Sequence, residues 1–400
     1  MFDPTQFHQS PNPLAKYYGD FNVENRILLT GHSHQAWPDC AKQGLEQAWQ
    51  DAALLVDDKW QRAFQKADLL RNWFSSTLDD TDGEIALGQS THELIIRFIS
   101  ALPLKQRPKI ITTDGEFYSL KRQLNLLHQQ GLANVVIVNV DPIDSLCERV
   151  INAIDSKTSA VMLSSVFFET AMRFPHLDEL ARACNSTQCQ LLVDAYHALN
   201  VMPFSIKQQH LQLAFVVGGG YKYCQFGEGN CFLRIPKDTA LKPLVSGWFS
   251  QFGNLAGQST TTPSGETYGA GHWSFAGSTY DPTSHYRACR VIDFFNEQHL
   301  SPLQLHAINQ YQLNHLIQKF DSFNLPPQLI SRTHVNSLNE IGGFLALTTP
   351  HAKTLSEKLK QQNVFTDYRG DKLRLGPSPY VSDAQLDRAM ELLINNLRAL

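Results

Sequence analysis

The fold of this chain is decided by the stretch Val216-Val217-Gly218-Gly219-Gly220-Tyr221-Lys222-Tyr223. Its valines are typical of a buried strand, and the three glycines after them let the backbone approach a ligand closely. A second stretch, Leu191-Leu192-Val193-Asp194, ends another apolar strand with a carboxylate. Ligands of α/β sheets collect at the carboxyl ends of the strands. We therefore expect Lys222 and Asp194, 28 positions apart (222 − 194), to meet at one edge of a sheet.

The pairing of a lysine with an acid in this setting points to an enzyme that uses pyridoxal phosphate (PLP). In such an enzyme the lysine forms the Schiff base, and the acid keeps the pyridine nitrogen protonated so that the ring accepts electrons. The apolar and aromatic neighbours of Lys222 favour its neutral, imine-forming state. Taken singly, Lys222 is equally explained as a surface lysine and Asp194 as a turn or N-cap residue. Together they favour PLP chemistry.

Short apolar stretches alternate with helical patterns from about residue 84 onward. This alternation predicts an α/β fold in which helices cover both faces of a mostly parallel sheet. Seven strands are predicted, namely Glu84–Leu87, Lys109–Thr112, Val135–Val138, Ser159–Leu163, Gln190–Val193, Leu213–Val217 and Cys231–Arg234. The helices predicted between them are 91–101, 117–130, 144–154 and 176–185.

The sequence predicts three parts of the chain. Residues 1–30 form an N-terminal arm that joins the small domain, 31–284 form the large PLP-binding domain, and 285–400 form a small C-terminal α/β domain. The small domain is predicted from a long helical region followed by a strand, a helix, a strand and a helix, at 284–322, Ile341–Leu347, 350–362, Lys372–Leu375 and 383–400.

Composition excludes several classes of function. The 400 residues carry a formal net charge of −4, which gives no sign of a nucleic-acid or anionic-membrane partner. The seven cysteines are odd in number and form no CxxC pattern, so we expect neither a disulfide framework nor a metal site, and a reducing, cytoplasmic setting fits best. The first residues lack the basic and apolar regions of a signal peptide, and no apolar run reaches the roughly 20 residues that span a bilayer.

A turn before the first helix of the large domain suits a phosphate group. Ser90 and Thr91 precede the apolar run Leu94–Leu102, and the free N–H groups at such a helix start attract anions. Ser90 and Glu93 also form an ordinary capping-box pattern, and the two interpretations are compatible because one turn serves both purposes.

Three further residues are candidates on weaker grounds. His197 follows Asp194 by three residues and could lie over the cofactor, although a half-buried structural histidine is the simpler explanation. Phe117 follows a strand and could stack on the pyridine ring, or could equally be a core residue. Arg374 lies in a predicted strand and could clamp a substrate carboxylate, or could be a surface residue.

These motifs together resemble those of the class V aminotransferase superfamily, which comprises PLP enzymes of fold type I, and within it the kynureninase-like proteins. The resemblance runs from about residue 27 to the C-terminus. It rests on Asp194-Ala195-Tyr196-His197, Gly220-Tyr221-Lys222-Tyr223, Gly227-Glu228-Gly229, Ser246-Gly247-Trp248 and Leu373-Arg374-Leu375-Gly376-Pro377. It implies the fold-type I architecture, PLP as cofactor, an amino acid as substrate and a homodimer with active sites at the interface.

The resemblance also implies a role for each candidate. Lys222 would carry the Schiff base and shuttle protons, Asp194 would pair with the pyridine nitrogen, and His197 would support the cofactor. Ser90, Thr91 and Tyr221 would contact the phosphate, and Phe117 would stack on the ring. Trp248, with Ser278 or Thr279, would reach the phosphate region of the neighbouring subunit. Arg374 would bind the substrate carboxylate. The stretch from Gly31 to Trp37 differs from the kynureninase pattern, and its His32 and His34 are expected to face the substrate.

Several reactions remain open for such a site. Hydrolytic Cβ–Cγ cleavage of kynurenine or a related amino acid needs water activation, for which His32, His34 and Tyr223 are candidates. Transamination of a small amino acid needs only Lys222 and a carboxylate clamp. A cysteine desulfurase needs a reactive cysteine in the C-terminal part, where none follows Cys289, and a catalytically silent protein would not need to keep these residues together.

Overall fold

A seven-stranded sheet forms the centre of the larger part of the protein. The structure is a computed structural model, and it describes residues 4–252, 260–261 and 267–400. The strands of the sheet are β2 (Glu84–Gly88), β3 (Lys109–Thr113), β4 (Asn134–Val138), β5 (Thr158–Ser164), β6 (Gln190–Asp194), β7 (Phe215–Gly219) and β8 (Cys231–Ile235), after a short first strand β1 (Ile27–Leu28). All seven predicted strands are present, with bounds that differ by at most two residues.

The sheet is mostly parallel, as predicted. Its strand order is β2-β8-β7-β6-β5-β3-β4, and only β8 is antiparallel to its neighbours. Strands β6 and β7 are adjacent and parallel, so their carboxyl ends lie side by side. Asp194 is the last residue of β6, and Lys222 follows the end of β7 by three residues (222 − 219). The topology therefore brings the two residues to one edge of the sheet.

Both faces of the sheet are buried, which explains the nearly continuous apolar strands. Along β7, Val216 packs into one hydrophobic cluster while Phe215 and Val217 pack into the other. Each such side chain stabilises the fold by roughly 1.5–3 kcal/mol relative to an exposed one. Helices from both sides complete the two clusters.

Helices are present in the regions where the sequence predicted them, and two helices of the C-terminal part begin at capping boxes. Ser301 and Gln304 form a capping box before the long C-terminal-half helix, and Ser382 and Gln385 form another before the last helix. Within the described residues the α-helices are α1 (Ala41–Leu55), α2 (Lys59–Thr77), α3 (Thr91–Ala101), α4 (Tyr118–Gln129), α5 (Leu146–Asn152), α6 (Leu177–Ser186), α7 (Thr283–Glu297), α8 (Pro302–Ser322), α9 (Ala352–Gln361) and α10 (Asp383–Arg398).

The C-terminal part contains a second, antiparallel sheet. Two two-residue strands, β9 (Thr260–Thr261) and β10 (Thr267–Tyr268), precede it and pair with each other. The other strands are β11 (Ser331–Arg332), β12 (Leu345–Thr348), β13 (Val364–Phe365), β14 (Asp367–Arg369) and β15 (Lys372–Leu375). The order of the second sheet is β11-β12-β15-β14, while β13 pairs with β1 instead. The N-terminal arm thus contacts the C-terminal part, whereas the three domain boundaries stay a prediction.

A tight hairpin joins β14 to β15. Its loop has two residues, Gly370 and Asp371, and Gly370 adopts a φ of 54° that glycine tolerates at little cost. This register sets Asp367 directly opposite Arg374. The predicted strand Ile341–Leu347 is shorter than expected, because Ile341 instead makes an isolated bridge with Met172.

Two other kinds of feature are absent from the described residues. None of the helices found there is long and apolar enough to cross a membrane. In the same residues, no group of three or more histidine, cysteine or acidic side chains is arranged to hold a metal ion.

Candidate active site

Lys222 lies in a buried, aromatic pocket at the edge of the central sheet. Only 7% of its surface is exposed, and its Nζ lies 4.6 Å from the ring centroid of Tyr196. Burial is the main cause that lowers the pKa of Lys222 from 10.5 to about 7, although the charge of Asp194 opposes it. The amine is therefore largely neutral slightly above neutral pH, which is the state that attacks a carbonyl carbon.

His197 is the direct hydrogen-bond partner of Lys222. The Nε2 atom of His197 lies 2.7 Å from Nζ of Lys222. Burial first, and then the charge of Lys222, holds the pKa of His197 well below its usual value. The distance is that of a hydrogen bond, and the neutral imidazole places no positive charge beside the amine. The tight turn after β6 that carries Ala195 and Tyr196 places His197 at this position.

Asp194 ends β6 with its carboxylate beside the same pocket. Its Oδ1 accepts a hydrogen bond from the backbone N–H of Tyr196 at 2.8 Å. Burial raises the pKa of Asp194, while this hydrogen bond and the charge of Lys222 act in the opposite direction. A buried carboxylate of this kind gains stability from a cationic partner, and a protonated ring nitrogen is such a partner.

Glu116 is a second buried acid near the site, and the sequence did not predict it. Its two carboxyl oxygens accept hydrogen bonds from the hydroxyl groups of Thr113 and Ser164, both at 2.6 Å. Burial raises the pKa of Glu116 to about 7, and the charge of Asp194 contributes in the same direction. The residue stands in a polar turn in the sequence, where nothing distinguishes it from an exposed glutamate.

Phe117 lies on the same side of the sheet as Lys222. Its ring centroid is 5.9 Å from Nζ of Lys222, and its ring meets Phe168 edge-on at 5.3 Å. The side chain is 37% exposed, so one surface of the ring remains open for a partner. Its position agrees with the predicted stacking role, which stays a prediction.

The predicted phosphate turn is a helix cap in this structure. The Oγ of Ser90 accepts the N–H of Glu93 at 3.3 Å, and Glu93 in turn accepts the N–H of Gln89 at 3.1 Å. Ser90 is exposed and Thr91 half-buried at the start of α3. The capping interpretation thus holds, and the helix start remains open to an anion.

Tyr221 and His34 form a stacked pair beside the pocket. Their ring centroids are 4.8 Å apart, and the Nε2 of His34 lies 3.6 Å from the carboxylate of Glu228. His34 is largely exposed on the outer side of Tyr221, whose pKa burial raises to about 12. His34 thus contacts Tyr221, which lies between it and the pocket.

Arg374 and His32 are both buried against Asp367. The Nε of Arg374 donates to one carboxylate oxygen of Asp367 at 2.8 Å, and the Nε2 of His32 lies 2.8 Å from the same oxygen. Burial lowers the pKa of His32 to about 4, so its imidazole is neutral near pH 7. Neither residue is exposed to solvent, and the sequence analysis did not predict their shared partner.

Trp248, Ser278 and Thr279 form a separate group. The indole N–H of Trp248 donates to Oγ1 of Thr279 at 3.0 Å, and 53% of the Trp248 surface is exposed. Ser278 lines a cleft that Gln89 and Glu93 also line, on the α3 side of the sheet edge. The structure thus brings together Lys222, His197, Asp194, Phe117 and Tyr221, and places these three residues outside that cluster.

Comparisons with known proteins agree with this architecture. Residues 312–393 match the family described as "Kynureninase C-terminal domain". A search of curated proteins finds no match. Among solved structures, a C-DES mutant with glycine covalently linked to its PLP cofactor has a TM-score of 0.77 at 15% identity, covering 98% of this chain and 99% of the other.

Two cysteine desulfurases also have structures similar to that of this chain. The apo enzyme from Thermococcus onnurineus NA1 has a TM-score of 0.77 at 14% identity, covering 97% of this chain and 98% of the other. The enzyme CsdA from Escherichia coli has a TM-score of 0.74 at 14% identity, covering all of both chains. The chain therefore has the fold of these solved proteins, and its residues 312–393 match a family of the kynureninase C-terminal type, in agreement with the resemblance that the sequence indicated.

Proposed function

We propose that the protein is a PLP-dependent enzyme that acts on an amino acid, with Lys222 as the residue that bonds the cofactor. The observation that carries the proposal is the state of Lys222. Its amine is buried, has a pKa of about 7 and lies 2.7 Å from a neutral histidine, at the sheet edge where Asp194 ends the adjacent strand. A lysine that only supported the fold would gain nothing from this lowered pKa.

The residues around Lys222 fit PLP by their chemistry. Within the described part of the chain, Nδ1 of His197 is buried and has no hydrogen-bond partner, so a polar group of a ligand would satisfy it. Asp194 offers a carboxylate for the ring nitrogen, and the open surface of Phe117 offers a stacking partner. Ser90 and Thr91, at the start of α3, offer hydroxyl groups and the positive end of the helix dipole to the phosphate.

When bound, PLP supplies an electron sink that makes the proton on the Cα atom of an attached amino acid acidic. Nζ of Lys222 would be the base that takes this proton, because its lowered pKa leaves the amine largely neutral slightly above pH 7. Nε2 of His197 lies within hydrogen-bond distance of Nζ of Lys222 and would orient the amine. Asp194 would pair with the ring nitrogen and keep it protonated, because a carboxylate stabilises a positive charge beside it.

For the reaction, we propose kynureninase-like hydrolysis of the Cβ–Cγ bond of kynurenine or a related amino acid. The proposal is supported by the match of residues 312–393 and by a phenylalanine, rather than the histidine usual in desulfurases, at the stacking position. Transamination of a small amino acid is the second candidate, because it needs no group beyond Lys222 and a carboxylate anchor.

Cysteine desulfurase activity is the weaker candidate despite the names of the solved relatives. No cysteine follows position 289 in the sequence. Cys289 itself is buried in α7, where its Sγ contacts the backbone carbonyl of Lys66 at 3.4 Å and burial raises its pKa to about 12. A thiol in that state is a poor nucleophile. A catalytically silent protein is disfavoured by the lowered pKa of Lys222.

We also propose that the protein forms a homodimer and works in the cytoplasm. The dimer is supported by large exposed apolar side chains at Trp49, Leu54, Leu69 and Trp248, which a partner subunit would cover. Trp248, Ser278 and Thr279 would then contribute to the neighbouring site. The cytoplasmic location rests on the composition of the sequence.

An absorption spectrum tests the cofactor directly. Purified protein with added PLP is expected to show a visible absorption band, and Lys222→Ala is expected to abolish it. Lys353→Ala, which changes a largely exposed lysine, serves as the matched control and should keep the band. A wild-type protein that stays colourless with PLP would remove the basis of the proposal.

A single-turnover reaction then separates the candidate reactions. Release of alanine from kynurenine supports the hydrolase, whereas accumulation of pyridoxamine phosphate with a small amino acid supports transamination. Formation of protein-bound persulfide from cysteine would contradict both.

A further inference from the structure

Polar side chains from four separate parts of the chain form the wall of one small cavity. Gln35 precedes α1, Asn200 and Tyr223 follow strands β6 and β7, and Asn309 and Gln312 lie three positions apart on one face of α8. Each of the five is at most 5% exposed. The described residues that line the cavity include no charged side chain.

Each of these five side chains has a buried oxygen atom that lacks a hydrogen-bond partner within the described part of the chain. The atoms are Oε1 of Gln35 and Gln312, Oδ1 of Asn200 and Asn309, and the hydroxyl of Tyr223. Nearly all buried polar atoms in folded proteins are hydrogen-bonded, because an unpaired one carries the cost of its lost hydration. Five such atoms around one cavity therefore indicate a polar guest.

Hydrogen bonds to the backbone fix the orientation of three of the amides. Nδ2 of Asn200 donates to the carbonyl of Tyr223 at 3.1 Å. Nδ2 of Asn309 donates to the carbonyl of Gly343, also at 3.1 Å. Nε2 of Gln312 donates to two backbone carbonyls of the turn after β15, at 2.8 and 3.1 Å. A carbonyl only accepts, so each amide turns its NH₂ group toward the backbone and leaves its oxygen for another partner.

The size of the cavity limits the guest. The space open to the centre of a water-sized guest is about 20 Å³, and one water molecule needs roughly 10–15 Å³ of such space. The cavity therefore takes one water-sized guest and excludes an amino acid or a larger ligand.

A single water molecule cannot satisfy this wall. Burial raises the pKa of Tyr223, so its hydroxyl stays protonated and donates one hydrogen atom. A water molecule donates two more, which makes three donors for the four amide oxygens. One oxygen would stay unpaired. A cation interacts with all of the oxygens at once and needs no donors.

The chemistry of the wall selects the class of cation. Zinc and related metals prefer cysteine and histidine, and Ca²⁺ and Mg²⁺ prefer sites with carboxylates, none of which line this cavity within the described residues. Neutral carbonyl oxygens that replace a hydration shell are the ligands that bind K⁺ in proteins. The wall thus suits a single positive charge.

We propose that this cavity binds one monovalent cation, with K⁺ as the best fit, through the side-chain oxygens of Gln35, Asn200, Tyr223, Asn309 and Gln312. The ion holds α8 and the segment before α1 against Tyr223, the residue that follows Lys222. The site does not depend on PLP, so its failure would leave the proposed function untouched.

The test measures the melting temperature of the purified chain at constant ionic strength while KCl replaces tetramethylammonium chloride, whose cation is too large for the cavity. Bound K⁺ stabilises the folded state by mass action, so the melting temperature should rise by roughly 2 °C or more and then level off. The same series is run with NaCl. A saturable rise in either salt supports the proposal, whereas equal melting temperatures in all three salts overturn it in favour of water.

A pair of variants separates the site from a general salt effect. Gln35→Met removes one oxygen ligand, keeps a side chain of similar length and should reduce the K⁺-dependent rise to less than half. Gln209→Met is the matched control, because Oε1 of Gln209 is also buried without a partner in the described residues but lines a different cavity. It should keep the full rise. An equal loss in both variants, or in neither, contradicts the assignment.

A crystal of the unmodified protein grown in RbCl gives a measurement that needs no variant. Rb⁺ replaces K⁺ at sites of this kind and scatters X-rays anomalously, whereas water does not. An anomalous peak among the five oxygens supports the site, and its absence in a crystal that contains Rb⁺ overturns it.

Discussion

Lys222 should react as an amine at pH values where an ordinary lysine is protonated. Its pKa is lowered from 10.5 to about 7, mainly by burial. At pH 8 a group with a pKa of 7 is about 90% neutral, whereas a group with a pKa of 10.5 is about 0.3% neutral, a difference of roughly 300-fold. Only the neutral amine attacks an aldehyde, so the rate of PLP attachment should be higher by about this factor at pH 8.

The assay mixes cofactor-free protein with PLP at pH values from 6 to 10 and follows the visible band. Dividing each rate by that of a free lysine derivative at the same pH corrects for the titration of PLP itself. The uncorrected rate of PLP attachment to the protein should reach half its maximum near pH 7. The ratio of this rate to that of the free lysine derivative should fall as the pH approaches 10.5. A half-maximum near pH 10 would refute the claim that burial controls this amine.

The same pKa has a consequence for stability without cofactor. Because the folded value lies below the unfolded one, the unfolded chain binds an extra proton between pH 7 and 10.5, and the folded protein gains stability as pH rises across that window. The difference between the two pKa values corresponds to roughly 5 kcal/mol. Lys222→Met should therefore have a larger free energy of unfolding than the wild type. This difference should be largest at pH 7 and should shrink toward pH 10.5.

Four other variants have expected outcomes. Asp80→Asn removes the partner of the fully buried Arg234 and should cost roughly 3–5 kcal/mol in chemical denaturation, whereas Asp178→Asn in an exposed ion pair should cost less than about 1 kcal/mol. Asp194→Asn should slow deuterium exchange at Cα of alanine by about 100-fold or more, measured by NMR, since it removes an electrostatic partner of the ring; an unchanged rate would contradict its role. Phe117→Ala should weaken PLP binding by roughly 2- to 12-fold in an equilibrium titration, and equal affinity would exclude stacking.

The sequence was sufficient to predict the central sheet. Strands such as β5 and β7 are buried on both faces, so they appear as continuous apolar runs that are easily recognised. The same reasoning located Asp194 and Lys222, because both follow such runs. The edge of the sheet where they meet then follows from parallel topology.

The contacts between distant segments were not predictable in the same way. His32 and His34 are two residues apart, yet one is fully buried against Asp367 and the other is largely exposed. Nothing in their local sequence distinguishes them, because the difference arises from packing against the C-terminal hairpin. Glu116 likewise becomes a buried acid only when Ser164 of another strand meets it.

One contact of the site, between Asp367 and Arg374, was predictable from the sequence but was not predicted. Gly370-Asp371 is a typical two-residue hairpin turn, and it fixes the register of the flanking strands. Counting outward from that turn pairs Asp367 with Arg374. The pairing would have shown that Arg374 has a carboxylate partner within the chain.

The central claim is that Lys222 bonds PLP, and covalent trapping tests it most directly. Protein incubated with PLP is reduced with borohydride, digested and analysed by peptide mass spectrometry. The account predicts one pyridoxyl phosphate group per chain, on the peptide that contains Lys222. Modification spread over exposed lysines such as Lys353, with Lys222 unmodified, would contradict it.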